Sequence, residues 1–201
     1  MYDLIKKVYR TAINFYNERR KQLLDVVPNA GHLGVADLER DFNVTVVTQN
    51  VDNLHECAGS THVIHLHGEL TKVCSSRDPY NPHFVKELAP EEYEVKLGDK
   101  AGDGTQLRPF IVWFGESVPE IETAIRYVEQ ADIFVIIGTS LNVYPAAGLL
   151  NYVPRAAEVY LIDPKPVDTH VMRPIHVIQK GASEGVKELK TLLTVTQPPL
   201  P

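Results

Sequence analysis

Cysteine is scarce in this chain, with only Cys57 and Cys74 among 201 residues. A small secreted domain stapled by disulfides needs several cysteines at regular spacing, so that class of protein is excluded. We expect both cysteines to be free thiols, because so low a cysteine content is typical of proteins that work in a reducing compartment.

Long apolar runs and an excess of positive charge are also lacking. No stretch approaches the roughly 20 apolar residues that span a bilayer, and the amino terminus has no apolar segment of a secretory signal. The 20 lysines and arginines are outnumbered by 26 aspartates and glutamates, for a net charge of −6. Since non-specific nucleic-acid binding depends on excess basic residues, the sequence predicts no nucleic-acid partner. The lack of long apolar segments predicts no membrane association and a cytoplasmic location.

The chain does have enough apolar sequence, 44% of its residues, for one globular domain over residues 1–201. Its periodicity predicts alternating helices and strands, which is the pattern of an α/β fold with parallel strands. Helices are predicted at 3–24, 30–40, 120–129, 145–152 and 184–193, and strands at 44–48, 62–66, 110–114, 133–137, 159–162 and 175–179. The run 133–137 is apolar throughout, as in a strand buried on both faces. The polar stretch 74–106 is predicted to be a small inserted module.

Polar side chains follow two of these strands. Gln49, Asn50 and Asp52 come directly after strand 44–48, where carboxamides and a carboxylate can bind a ribose without reacting. His67 follows the next strand, and histidine is well suited to take a proton near neutral pH. Two alternatives stay open: an ordinary polar turn, which Asn and Asp favour, and a metal pair of His65 and His67. The metal pair is disfavoured because no Cys-x-x-Cys pair completes it.

Three further groups of residues point to ligand binding. Phe114-Gly115-Glu116 lies at the end of a predicted strand, and the small Gly115 leaves its backbone exposed. An exposed backbone at a strand end can pair with an extended peptide. Gly138-Thr139-Ser140 precedes a helix and offers backbone N–H groups to a phosphate or ribose. Tyr16 and Arg19 share a helix face, where a phenol and a guanidinium can bind a carboxylate. Each has an ordinary alternative when taken alone: a strand-end turn, a common tripeptide, and a core tyrosine beside a solvated arginine.

Together and in this order, these motifs resemble the sirtuin family, the NAD-dependent protein lysine deacylases. The resemblance implies a Rossmann-like parallel sheet with a small module, NAD as co-substrate, and an acyl-lysine protein or peptide as substrate. It implies that His67 is the general base, which activates a ribose hydroxyl after the acyl-lysine oxygen has expelled nicotinamide. It implies contacts with NAD from Gln49, Asn50, Val51, Asp52, Gly138, Thr139, Ser140, Asp163 and Ala182, and with substrate from Tyr16, Arg19, Val112, Gly115 and Glu116.

The Tyr16 and Arg19 pair is similar to the Tyr-x-x-Arg of class III sirtuins, which binds the carboxylate of succinyl, malonyl or glutaryl lysine. The family resemblance implies desuccinylase, demalonylase or deacetylase activity with release of O-acyl-ADP-ribose. Two other functions stay open. One is a catalytically impaired remnant that binds acyl-lysine peptide or ADP-ribose, and the other is a mono-ADP-ribosyltransferase. The oligomeric state is left open by the sequence.

The chain departs from the sirtuin pattern at three places. It begins beyond the opening strand and the Gly-Ala-Gly-x-Ser loop of the family, which we interpret as a wrongly assigned start codon, a truncated gene or a segment supplied by a partner. Leu161 stands where relatives often have an Asn, so that only Asp163 can contact the adenosine ribose. Only Cys74 stands near a zinc-cysteine position of the family, and tetrahedral zinc needs four ligands. We therefore predict no zinc and a 74–106 module held by packing alone.

Overall fold

The structure is a computed structural model that describes residues 2–139, 146–166 and 173–196. The chain divides into two compact units. Unit 1 comprises Met1–Val27, Thr48–Asn53 and His65–Pro119, and unit 2 comprises Pro28–Val47, Leu54–Ile64 and Glu120–Pro201.

Helices and strands alternate along most of the chain, as the periodicity predicts. The α-helices are α1 (Tyr2–Leu23), α2 (Ala30–Asp37), α3 (Leu54–Ala58), α4 (Ile121–Val128) and α5 (Ala182–Thr196). The strands are β1 (Val46–Thr48), β2 (Val63–His65), β3 (Gly68–Ser75), β4 (Lys86–Glu87), β5 (Leu107–Ile111), β6 (Ile133–Ile137), β7 (Glu158–Ile162) and β8 (His176–Ile178). Short 3-10 helices lie at Leu38–Arg40, Pro82–Phe84, Pro90–Glu92 and Ala146–Tyr152. Strands β1 and β2 pair with each other.

Unit 1 is built on an antiparallel sheet in the order β4-β3-β5, with α1 packed against it. Ile13 of α1 is buried in a small core with Val73 and Val95. Two turns further along α1, Arg20 is 3% exposed and donates to the carbonyl oxygens of Leu70 and Tyr93. The bond to Leu70 fixes α1 to β3 and offsets part of the cost of burying the guanidinium.

Unit 2 carries a parallel sheet in the order β6-β7-β8. Its core is formed by apolar side chains of α2, α5 and the strands, among them Val35, Ile162, Val186 and Leu189. Helix α2 begins where the sequence predicts, because the side chain of Asn29 accepts hydrogen bonds from two backbone N–H groups of the first turn. The parallel pairing confirms the predicted α/β class.

Some predicted elements differ from the observed ones. Strand β5 covers Leu107–Ile111 rather than 110–114, and strand β3 was not predicted at all. The helix predicted at 145–152 is a 3-10 helix at Ala146–Tyr152, and Pro145 lies outside the described residues. Strand β6 is parallel as predicted, but only its Ile136 is fully buried. The reason is that β6 is the end strand of the sheet that the structure describes.

The prediction that the 74–106 module is held by packing alone is wrong. The carboxylate of Asp103 accepts hydrogen bonds from the hydroxyls of Thr105 at 2.7 Å and Ser75 at 2.8 Å, and from the Thr105 backbone N–H at 3.0 Å. The Thr105 hydroxyl, with smaller contributions from its backbone N–H and from Ser75 and Arg77, lowers the pKa of Asp103 to about 2. A polar clasp therefore joins the two ends of the module.

The residues near the expected zinc position do not fit a zinc site. The Cys74 thiol is fully buried and donates to the carbonyl oxygen of Pro109 at 3.7 Å, and burial raises its pKa to about 11. Zinc binds the thiolate, which this environment disfavours. Among the described residues no group of three or more His, Cys, Asp or Glu side chains could hold a metal ion. The absence of zinc from the protein stays a prediction.

Candidate functional site

The loop Gln49–Asp52 leaves the end of β1 and is held by the backbone of the segment that carries His65 and His67. Within unit 1, the Asn50 N–H donates to the Thr48 hydroxyl at 3.0 Å, and the Leu70 N–H donates to the Val51 carbonyl at 2.7 Å. Asn50 is exposed, whereas Asp52 is half-buried. The loop thus presents its amide and carboxylate groups from a fixed backbone.

His67 is oriented by its contact with this loop. Its Nδ1 lies 3.1 Å from the Gln49 carbonyl oxygen. Because a carbonyl can only accept, Nδ1 carries the proton in this contact and Nε2 of the neutral ring is left as an acceptor. His67 is half-buried, so that a ligand can reach the ring. The arrangement suits a general base.

His65 makes a similar contact but is more deeply buried. Its Nδ1 lies 3.3 Å from the Asn50 carbonyl oxygen, and the residue is 9% exposed. The two imidazoles therefore brace consecutive carbonyl groups of the same loop. This geometry favours a structural role for His65 over the alternative of a metal pair with His67.

Gly68 allows the strand after His67 to approach β5 closely. Its φ is +82°, and a Cβ at this position would lie 2.1 Å from the Phe110 carbonyl oxygen. Beside it, the Val112 N–H donates to the His67 carbonyl at 3.0 Å. The predicted base and the start of the predicted peptide-binding segment are thus direct neighbours in unit 1.

The segment 112–116 forms a tight turn. The Glu116 N–H donates to the Trp113 carbonyl at 2.9 Å, Gly115 has a φ of +88°, and the side chain of Phe114 is fully exposed. The Glu116 carboxylate pairs with Arg108 through Nη1–Oε1 at 2.6 Å and Nη2–Oε2 at 2.8 Å. The hydrogen bond from Arg108 is the largest influence on the pKa of the Glu116 carboxyl and lowers it.

Arg108 was missed by the sequence analysis, although one signal was present. It is a charged residue inside the otherwise apolar strand β5, with 4% of its surface exposed. A buried arginine needs a partner, but nothing in the sequence identifies Glu116, eight positions further on, as that partner.

The two residues predicted to bind the acyl group lie around a common neighbour on α1. The ring of Tyr16 packs edge-on against Phe15 at 5.2 Å, and the Arg19 guanidinium lies 5.1 Å from the centre of the Phe15 ring. Arg19 is exposed and donates to the Gln22 side chain at 2.9 Å. Burial raises the pKa of the Tyr16 phenol, against the opposing influence of Arg108.

Unit 2 brings three predicted NAD contacts to one edge of its parallel sheet. Gly138 follows β6, Asp163 follows β7, and Ala182 begins the helix after β8. The Gly138 N–H donates to the Ile162 carbonyl at 2.9 Å, which places Gly138 beside the end of β7. Thr139 is half-buried next to it, and Ser140 lies outside the described residues.

This edge has the properties of a nucleotide site. Open α/β sheets bind ligands outside the carboxyl ends of their parallel strands. Gly138 has a φ of +62°, and a Cβ there would meet no atom of the described residues within 4 Å. Asp163 is half-buried, and its carboxylate accepts from the Lys165 N–H at 2.8 Å. The backbone of Gly138 and the carboxylate of Asp163, which follow neighbouring strands, could together bind the ribose of NAD.

A parallel sheet with polar residues at its carboxyl edge is typical of α/β nucleotide-binding proteins, and an oriented histidine is typical of enzymes that transfer a proton. A sequence model of the Sir2 family matches residues 3–145. The chain belongs to the Sir2 family, the sirtuins.

Two curated relatives are named NAD-dependent protein deacylase. The one from Bacteroides thetaiotaomicron is 83% identical over 181 residues, which cover 90% of this chain and 77% of that protein. The one from Helicobacter pylori is 46% identical over 184 residues, which cover 92% of this chain and 78% of that protein.

Solved structures of Sir2 proteins share the fold. A Sir2 homologue in complex with NAD is similar with a TM-score of 0.74 and 34% identity, covering 90% of this chain and 72% of that one. A complex of Sir2 with a p53 peptide and NAD has a TM-score of 0.69 and 27% identity, covering 87% and 74%. The predicted family and Rossmann-like fold are confirmed, whereas the roles of the individual site residues stay predictions.

Proposed function

We propose that this chain is an NAD-dependent protein lysine deacylase that prefers acidic acyl groups, with His67 as its general base. The deacylase class follows from the family and from the relatives that carry this name. The observation that carries the catalytic role is the contact of His67 Nδ1 with the Gln49 carbonyl, which leaves Nε2 to accept a proton. NAD supplies the activated glycosidic bond whose cleavage releases nicotinamide.

The loop after β1 binds the nicotinamide half of NAD in this proposal. Asn50 and Asp52 offer an amide and a carboxylate to the nicotinamide carboxamide and its ribose, and Gln49 offers a second amide to the ribose. His67 lies beside the same loop, so its Nε2 can take the proton of a ribose hydroxyl held there. The hydroxyl oxygen then becomes the stronger nucleophile toward the acyl carbon.

Residues of unit 2, taken by themselves, suit the adenosine half of NAD. Gly138 and Thr139 offer backbone N–H groups and a hydroxyl after β6, Ser140 is the next residue in the sequence, and Asp163 offers a carboxylate to the ribose hydroxyls. Ala182, at the first turn of α5, offers a small side chain and a helix N-terminus.

The substrate lysine arrives in an extended peptide that pairs with the backbone of Val112 and of Gly115 and Glu116. Tyr16 and Arg19 then bind the terminal carboxylate of the acyl group. A guanidinium binds a carboxylate bidentately and a phenol adds one donor, which favours succinyl and malonyl over acetyl. Arg19 has an exposed guanidinium that donates to the neutral Gln22 amide, so exchange of that partner for a carboxylate is favourable.

The acyl preference is tested by incubating the purified chain with NAD and peptides that differ only in an acetyl, malonyl or succinyl lysine. We expect Arg19→Met to lower kcat/KM for the succinyl peptide by about tenfold to a hundredfold, the value of a charge-assisted hydrogen bond, with little change for the acetyl peptide. Arg10→Met is the matched control, because Arg10 is another exposed arginine of α1. Equal effects of the two substitutions would contradict the proposed preference.

The products distinguish the deacylase from the other two functions. A deacylase yields O-acyl-ADP-ribose and free lysine, which mass spectrometry identifies. ADP-ribose attached to the protein or peptide would instead indicate an ADP-ribosyltransferase, and binding without turnover would indicate an impaired remnant.

A further inference from the structure

Arg108 is buried within unit 1 and uses most of its donors on the segment that follows β5. Besides the two bonds to the Glu116 carboxylate, its Nη2 donates to the Ile111 carbonyl at 2.7 Å. Its Nε lies 3.4 Å from the Pro109 carbonyl. The guanidinium therefore ties the end of the strand to the turn beyond it.

The same guanidinium supports the side chain of Trp113. Its central carbon lies 4.0 Å from the centre of the indole ring, in the geometry of a cation–π contact. The Trp113 backbone N–H donates to Glu116 Oε2 at 2.9 Å, and Tyr9 packs edge-on against the indole at 5.7 Å. We call Arg108, Trp113 and Glu116 the Arg108 clamp.

The contacts of the Arg108 clamp give the Glu116 side chain a role within the turn, whereas the sequence predicts a contact with the substrate. One carboxylate oxygen accepts from Arg108, and the other accepts from both Arg108 and the Trp113 N–H. The side chain is thus occupied inside the turn, so it shapes the backbone rather than reading the peptide. Gly115, with its positive φ, and the fully exposed Phe114 lie at the top of the turn.

Arg108 also influences the predicted acyl-binding residue Tyr16. Burial is the largest influence on the pKa of the Tyr16 phenol and raises it, whereas the charge of Arg108 lowers it and that of Glu116 raises it. The charge of one arginine therefore influences the phenol that would recognise the acyl group, and its hydrogen bonds hold the turn that would pair with the peptide.

We propose that Arg108 is a positioning residue for the acyl-lysine substrate, because it fixes the turn 113–116 in the shape that binds the peptide. The proposal rests on the proposed function. It requires an arginine, since only a planar guanidinium can pair bidentately with Glu116 and stack on Trp113 at once. Lysine would keep the charge and lose both contacts.

Peptide binding can be measured without turnover, because Trp113 is the chain's only tryptophan. Its fluorescence is titrated with a succinyl-lysine peptide that contains no tryptophan or tyrosine. We expect Arg108→Lys to raise the Kd by about tenfold, which is the loss expected for a bidentate, stacked guanidinium.

Arg20→Lys is the matched control, because Arg20 is an equally buried arginine of unit 1 that holds α1 to β3 without contacting the turn. We expect its Kd to stay within about twofold of the wild-type value, as for any change that acts on stability alone. Circular dichroism at the assay temperature establishes that each variant is folded. If Arg108→Lys is not folded, Glu116→Gln replaces it, and a higher Kd is again expected.

An unchanged Kd in the folded Arg108 or Glu116 variant would overturn the inference, as would a wild-type chain that does not bind the peptide. An equal rise in Kd for Arg20→Lys would also overturn it, since a general structural role would then suffice. Peptide binding that depends on Arg108, without NAD-dependent turnover by the wild-type chain, would support the inference and refute the proposed function.

Discussion

Replacement of Gly68 by alanine tests the close approach that places His67 beside the segment proposed to bind the peptide. Gly68 has a φ of +82°, and its hypothetical Cβ would lie 2.1 Å from the Phe110 carbonyl oxygen and 3.0 Å from the Ile111 Cα. Both contacts are with backbone atoms, so strand β5 must shift if the methyl group is to fit.

The expected cost has two parts. A left-handed backbone costs an alanine about 1–2 kcal/mol, and the forced shift of a packed strand costs about 1–3 kcal/mol. Gly68→Ala should therefore lower the free energy of unfolding by about 2–5 kcal/mol, out of a total of about 5–15 kcal/mol for an ordinary protein.

Gly104→Ala separates the two parts. Gly104 has a similar φ of +77° in the same unit, but a Cβ there would meet no atom within 4 Å. Urea unfolding, followed by circular dichroism, should show a loss of only about 1–2 kcal/mol for this variant. If Gly68→Ala is no less stable than Gly104→Ala, the close contact between β3 and β5 is refuted.

Two further predictions concern the cap of α2 and the cysteines. Asn29→Ala removes the acceptor of the Gly31 and His32 N–H groups, at 2.8 and 3.2 Å, and should cost about 1 kcal/mol in the same unfolding assay; an unchanged midpoint would contradict the capping role. Cys57 is exposed, whereas Cys74 is fully buried with its pKa raised to about 11, so a thiol reagent at neutral pH should modify Cys57 alone until the protein is unfolded. Equal modification rates of the two thiols in the folded protein would contradict the structure.

The parallel half of the fold could be predicted because its strands have a simple pattern. Strand β6 was predicted to the residue, since an uninterrupted apolar run ends at Gly138. Strand β3 could not be predicted, because its pairing with β5 changes register between Glu69 and Val73. Such an irregularity breaks the alternation of polar and apolar residues by which a strand is recognised. The charged residues Glu69 and Lys72, which pair at 2.7 Å in the structure, also give this stretch of sequence the polar composition of a loop.

The candidate site was predictable where residues adjacent in sequence act together. The loop Gln49–Asp52 and His67 follow neighbouring strands, and the structure brings them into contact. The Arg108 clamp could not be predicted, since it depends on a partner chosen by the tertiary fold. For the same reason the polar clasp around Asp103 was missed, because its members come from both ends of the 74–106 module.

The most direct test of the central claim replaces His67 by asparagine. An asparagine amide can still donate to the Gln49 carbonyl, but it has no basic nitrogen, so the substitution separates orientation from proton transfer. If the base acts after nicotinamide has left, as proposed, exchange of labelled nicotinamide into NAD in the presence of acyl-lysine peptide should persist. Release of deacylated peptide should fall by about a hundredfold to ten-thousandfold, the usual contribution of a general base. Deacylation at the wild-type rate by the folded variant would contradict the assignment of His67.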